Sequence, residues 1–191
     1  MGKLVVTEFI SLDGVIEDPG GAEGYAHGGW TFKFDRGEEG NTFKLEEIRA
    51  ADAQLLGRRT YEGFAKAWPS IQDEAGFADK MNGMPKFVVS STLERTEWSN
   101  STVLKGDLRS EVERLKQQFD GDILVAGSAQ LVQGLLREGL VDEIRLMVFP
   151  VTLGGGKRLF EDDGALRAFT LADTKRFGDV VLLTLTLTRS E

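Results

Sequence analysis

Leu55-Leu56-Gly57-Arg58-Arg59-Thr60-Tyr61-Glu62-Gly63-Phe64 passes from a short apolar strand (residues 53–56) through one glycine into two arginines and a threonine. A helical pattern follows over residues 60–66. That order places two guanidinium groups and a hydroxyl at a helix start, beside backbone N–H groups without intrahelical partners. Such a corner suits an anion, and a phosphate in particular. The alternative leaves Thr60 as a helix cap and both arginines as solvated surface charges.

The segments on either side decide what that corner belongs to. Residues 3–10 (KLVVTEFI) are apolar and β-branched, and read as a buried first strand. Residues 11–37 are rich in glycine and aromatics, a loop long enough to be functional or mobile. Helical spacing returns over residues 38–51, with Phe43 and Ile48 inward. Trp68-Pro69 breaks the helix after the arginines, and residues 73–81 read as a short helix. Strands are expected over 86–90, 103–105, Asp122–Ala126 and Glu143–Phe149, with helices over 108–119 and 130–137. The chain closes with Phe169–Phe177, the Gly178-Asp179 turn and a strand over 180–188. In that strand Leu183, Leu185 and Leu187 alternate with Thr184, Thr186 and Thr188. Strands and helices alternate until a hairpin ends the chain. The expected class is α/β, a mostly parallel mixed sheet flanked by helices, with antiparallel strands at one edge and residues 1–191 forming one domain.

Composition narrows the chemistry. The 191 residues contain no cysteine and a single histidine, His27. Disulfides, thiolate catalysis and cysteine-zinc sites are excluded, and no metal is expected. A net charge of −8 argues against nucleic-acid and anionic-membrane partners, and leaves room for an anionic small molecule in a local basic pocket. No stretch approaches the roughly 20 apolar residues of a membrane span, and the N-terminal segment lacks a signal-peptide pattern, so a cytoplasmic location is expected.

Three strand ends carry polar residues. Beside Gly57–Thr60 stand Ser90-Ser91-Thr92 and Ala126-Gly127-Ser128-Ala129-Gln130. Each admits a plain reading, as turn residues or as Ser128 capping a helix. Together they would form a crevice outside the carboxyl edge of a sheet, where open α/β sheets bind ligands. Asp13 is the best-placed carboxylate, as a proton donor or as a turn former. Trp30, Phe32 and Phe34 could wall a planar ligand or pack on the core.

The motifs Ser11-Leu12-Asp13-Gly14-Val15-Ile16, Gly57–Glu62, Val88-Val89-Ser90-Ser91 and Ala126-Gly127-Ser128 stand in one order. With them the chain resembles the dihydrofolate reductase superfamily over nearly its whole length. It looks closest to the C-terminal reductase domain of the bacterial riboflavin-biosynthesis deaminase-reductases, here as a stand-alone relative. The segment Pro150-Val151-Thr152-Leu153-Gly154-Gly155-Gly156-Lys157-Arg158-Leu159-Phe160 is similar to one typical of that branch.

The resemblance implies a dihydrofolate reductase-like three-layer fold and an NADPH-dependent reductase of a small pterin-, flavin- or pyrimidine-like substrate. Related activities are 5-amino-6-(5-phosphoribosylamino)uracil reductase and dihydrofolate reductase. Matched motif to motif, Arg58 and Ser91 would hold the 2′-phosphate, and Arg59 and Thr60 the pyrophosphate. Gly57, Ser90, Gly127, Ser128, Ala129 and Gln130 would complete the cradle. The backbones of Phe9 and Ile16 would meet the nicotinamide carboxamide. Asp13, Trp30 and Phe34 would face the substrate, the loop over 11–37 would be its lid, and relatives of this branch often form homodimers. Two departures leave the substrate open: about Asn41 stands where dihydrofolate reductases carry a carboxylate, and the loop after Asp13-Gly14 is long. A protein that kept the fold and binds a nucleotide or oligomerises without turnover is the alternative.

Overall fold

Strand β1 (Lys3–Ser11) runs through the interior of the sheet, and all but its first and seventh residues are buried. The computed structural model describes residues 1–187. Strand β5 (Asp122–Ala126) flanks β1 on one side and β6 (Glu143–Phe149) on the other, both parallel to it. Burial on both faces is what an uninterrupted apolar strand requires.

The full order is β4-β3-β2-β5-β1-β6-β8-β7. Strands β2 (Ala51–Gly57), β3 (Lys86–Val89) and β4 (Ser101–Leu104) continue the parallel half. Strands β7 (Phe169–Phe177) and β8 (Val180–Leu187) form the expected hairpin, with β8 antiparallel to β6. Thr188, assigned to the last strand by its alternation, lies outside the described residues.

Helices cover both faces. On one, α4 (Leu108–Gln118) and α5 (Ala129–Arg137) bury Val112, Leu115, Val132 and Leu135 against Leu4, Val6, Ile123 and Val125. On the other, α1 (Gly37–Ala50), α2 (Arg58–Ala67) and α3 (Phe77–Gly83) contribute Ile48, Tyr61 and Met81 to a core with Val5, Leu56, Val88 and Leu124. Alternate strand residues thus feed opposite layers.

Local chemistry shifts several boundaries. Helix α3 starts at Phe77 and not near Asp73, because the Asp73 carboxylate accepts the Phe77 and Ala78 N–H groups from outside the helix. Helix α2 begins at Arg58 with Gly57 as its N-cap, so Thr60 lies inside the first turn and does not cap it.

The expected lid over residues 11–37 is tied down. The buried Asp18 carboxylate accepts the N–H groups of Glu23 and Tyr25 at 3.0 and 3.2 Å, and Tyr25 donates to the Gly155 carbonyl. Lys157 donates to Glu17 through both its backbone N–H and its ammonium group, each at 2.9 Å. Trp30 opens a short 3-10 turn, Trp30–Lys33, and is fully buried.

Candidate functional site

Three strand ends meet at the carboxyl edge, and hydrogen bonds join two of them. The Gly57 N–H at the end of β2 donates to Ser128 Oγ at 2.9 Å, and Ser128 Oγ donates to Thr60 Oγ1 at 2.8 Å. No larger residue fits at either glycine. A Cβ on Gly57 would stand 2.5 Å from Ser128 Oγ, and one on Gly127 would stand 2.8 Å from Thr60 Oγ1. Gly127 and Ser128 both adopt positive φ, 66° and 64°. For Ser128 that backbone costs about 1 kcal/mol, the kind of strain that collects at functional sites.

This arrangement leaves donors free. Ser128 is the N-cap of α5, but its hydroxyl turns away to Gly57 and Thr60 and makes no capping bond. Gly57 offers α2 no side-chain cap. Thr60 accepts from Ser128, so its own hydroxyl hydrogen remains for an incoming acceptor. Two helix starts and a hydroxyl therefore present N–H and O–H groups at one place, with Arg58 and Arg59 exposed beside them.

The Ser90 strand end joins through Thr92, which the sequence offered only as part of the Ser90-Ser91-Thr92 turn. Ser90 Oγ accepts the Thr92 and Leu93 N–H groups at 3.3 and 3.0 Å, so Ser90 is a turn former. Thr92 Oγ1 accepts from Arg58 Nη1 at 2.6 Å, while Arg58 Nε pairs with Glu62 at 2.7 Å. Ser91, Arg59 and Gln130 are exposed, and Ala129 is buried. The third hydroxyl of Ser90-Ser91-Thr92 was the available signal for Thr92.

Phe9 and Ile16 lie near the end of β1 and just after it. Ile16 is buried, with its N–H on the Lys157 carbonyl at 2.9 Å. The Phe9 ring is half-buried on the α1 side, with the Arg36 guanidinium 5.1 Å and the Lys44 ammonium 5.5 Å from its centroid. Phe34 packs edge-on against Phe149, 6.1 Å between ring centroids. Trp30 is not available to a ligand. Its Nε1 donates to the Glu17 carbonyl at 2.9 Å and its ring packs on Phe149 in the core, because an indole buried this deeply needs its N–H satisfied.

Asp13, read from the sequence as either a proton donor or a turn former, is a tether. Its carboxylate accepts Ser11 Oγ at 2.6 Å, the Leu153 N–H at 3.1 Å and the Gly154 N–H at 2.8 Å. The Ser11 hydroxyl, then the Gly154 N–H, hold its pKa down to about 2. An acid so ionised has no proton to give at neutral pH, and its bonds fix the 150–160 segment to the end of β1.

Glu8 behaves oppositely, and motif reading missed it. It is 7% exposed, at the level where β1 meets Leu146 of β6, one step beyond the Thr7–Ala126 pair with β5. Burial pushes its pKa up to about 8, against the weaker pull of the Gly127 N–H and Lys44. A lone charged residue within residues 4–11 (LVVTEFIS) was its one sequence signal. On the opposite face of the strand Glu47 is also buried, but it accepts from Thr7 and pairs with Lys44 and Arg145.

The mixed, mostly parallel sheet between two helical layers, with its polar carboxyl edge, defines a dihydrofolate reductase-like α/β protein. Residues 2–183 match the model of the RibD C-terminal domain, and the chain belongs to that family. It is 30% identical over 181 residues to the uncharacterized protein YwjB of Bacillus subtilis (strain 168), covering 95% of each chain. RibD of Acinetobacter baumannii superimposes with a TM-score of 0.66 at 18% identity, over 99% of this chain and 59% of that one. Dihydrofolate reductase from Enterococcus faecalis, solved in complex with NADP(H), superimposes at 0.56 with 16% identity, over 98% and 97% of the two chains. The fold is reductase-like. Among the described residues no helix is long and apolar enough to cross a membrane, and no group of three or more His, Asp or Glu side chains could hold a metal ion.

Proposed function

We propose that residues 1–191 form one NADPH-dependent reductase domain that passes a hydride to a C=N or C=O carbon of a small heterocycle. The observation that carries this reading is the Gly57–Ser128–Thr60 junction between two uncapped helix starts, with both arginines beside it. The residues fit a dinucleotide. Two glycines keep the floor too close for any Cβ, and the donors are those that phosphates require. Arg58, oriented by Thr92, would hold the 2′-phosphate with Ser91. Arg59, Thr60 and the N–H groups of residues 127–130 would hold the pyrophosphate, and the backbones of Phe9 and Ile16 the nicotinamide. The bound cofactor would supply the hydride, while the protein supplies orientation and shields the reaction from water. Phe9, Phe34 and the Arg36 and Lys44 cations mark the substrate side.

This reading places the protein in the cytoplasm as a homodimer, with the apolar face around the exposed Leu171 and Val181 as its contact, to be checked by light scattering. Thermal-shift titration with NADPH and NADH tests the cofactor. NADPH should raise the midpoint at lower concentration than NADH, and Arg58→Ala should weaken NADPH about 10- to 100-fold, in line with loss of a charge-assisted bond. No shift with either dinucleotide would sink the reductase reading.

A further inference from the structure

We propose that the substrate is a planar heterocycle carrying one carboxylate, and that Arg36 is the residue that reads this charge. The assignment rests on the reductase reading, which puts the substrate beside Phe9, and it names the substrate class that reading leaves open. Among the described residues three arginines are half-buried: Arg36, Arg145 and Arg167. Arg145 pairs with Glu47, Asp122 and Glu143, and Arg167 pairs with Asp163. Arg36 alone of the three has no carboxylate partner. Withdrawing a charge from water without a counter-ion is unfavourable, so a folded protein normally pairs it.

The local structure orients this guanidinium without neutralising it. Arg36 directly precedes α1, and its Nε donates to the uncharged Asn41 Oδ1 at 2.6 Å. That bond leaves both Nη groups without a hydrogen-bond partner among the described residues, and their fork matches the two oxygens of a carboxylate. The guanidinium carbon lies 5.1 Å from the centroid of the half-buried Phe9 ring, so the charge rests against a π face. Gly40 makes room for the side chain: a Cβ there would stand 3.0 Å from Arg36 Cβ and 3.1 Å from Phe177 Cβ. Burial draws the Arg36 pKa below the usual arginine value, and arginine still keeps its charge at neutral pH.

The charge count selects the anion. Lys44, the second cation near Phe9, donates to Thr7 and is balanced by Glu47. What remains beside the ring is the single positive charge of Arg36, which matches one carboxylate better than a phosphate dianion. The corner assigned to the cofactor phosphates differs, with two arginines and two helix starts. Phe9 and Phe34, both edge-on to Phe149, supply apolar surface for the ring that bears the carboxylate.

The test measures binding to the full-length protein by calorimetry, with and without NADPH, for matched probes. These are pterin-6-carboxylate against 6-methylpterin, orotate against uracil, and flavin mononucleotide against riboflavin. A carboxylate probe should bind about 10- to 100-fold more tightly than its neutral partner, the range of one charge-assisted pair. Added salt should shrink that preference. Arg36→Gln should erase it while leaving the affinities of the neutral partner and of NADPH unchanged, with a thermal melt to show that the variant is folded. Arg36→Lys should restore part of it. Equal binding of acid and neutral partner by the wild type overturns the proposal, and that comparison needs no variant. An Arg36→Gln protein that keeps the preference overturns it too, as does the failure of every carboxylate probe to bind. A larger preference for flavin mononucleotide over riboflavin than for either carboxylate would assign a phosphate and overturn the charge count. If the wild type binds the acids but no NADPH, the reductase reading falls and the anion site stands. NADPH binding without any acid preference gives the reverse.

Discussion

The interior of β1 and the turn that follows it carry two carboxyl groups five residues apart, in opposite states. Asp13 is surrounded by donors and is held ionised, near pKa 2. Glu8 is surrounded by strands, with a single backbone N–H facing it, and is held neutral, near 8. Their intrinsic acidities differ by less than one pKa unit. The difference arises because a turn exposes backbone N–H groups to a side chain, whereas a sheet interior has already used them in its ladder. Strand pairing therefore leaves Glu8 a poor site for charge, and the 150–160 segment makes Asp13 a good one.

The largest expected consequence concerns Glu8 and stability. A folded-state pKa raised above the unfolded value gives stability that is complete below about 4.5 and is lost as pH rises through about 8. Wild-type unfolding free energy, from urea titration at each pH, should fall over that window by on the order of 3–5 kcal/mol. Glu8→Gln should flatten the slope. A wild-type profile as flat as the variant's would erase the contrast with Asp13.

Lys86 sharpens the contrast from the side of a satisfied buried charge. It is fully buried, donates to the Met81, Asn82 and Met84 carbonyls at 2.8–3.0 Å, and lies 4.2 Å from the centroid of the Trp98 ring. Every donor is used, so its role is to close the end of α3. Lys86→Met should cost about 2–3 kcal/mol in urea unfolding at neutral pH, because the carbonyls lose their donor. Glu8→Gln at the same pH should cost much less.

The smallest effect is expected at Asp13. Asp13→Asn should lower the thermal midpoint at neutral pH by removing the charge that Ser11, Leu153 and Gly154 hold. The sign follows from a depressed pKa: the stabilisation is present above about 3.8 and lost as pH falls through about 2. Wild type and variant should therefore converge in acid, and thermal melts across that range would show it.

Much of the fold was legible because its signals are local. The β-branched run of β1, the alternating leucines of β8 and the Gly-Arg-Arg and Ala-Gly-Ser turns each report on a few neighbouring residues. Helix α3 was misplaced by four residues because Asp73 caps from outside the helix, a choice of backbone conformation that periodicity does not encode. The tethers of the 11–37 segment were not legible because its partners lie more than 100 residues away, at Gly155 and Lys157. For Trp30 the sequence left ligand wall and core packing both open, and its burial against Phe149 decides for the core.

The candidate site divides in the same way. Arg58, Thr60, Gly127 and Ser128 follow from spacing, since a strand, a small residue and a helix start place N–H groups wherever they occur. Thr92 does not. It matters because β3 pairs with β2 and carries its hydroxyl to Arg58.

The sequence alone determined the alternation of strands and helices, the phosphate-suited corner and the absence of thiol chemistry, all properties of short segments and composition. Only the tertiary structure decided which carboxyl is charged. The pKa of a side chain depends on the donors and the solvent that other segments bring to it or take away, and those segments lie far along the chain.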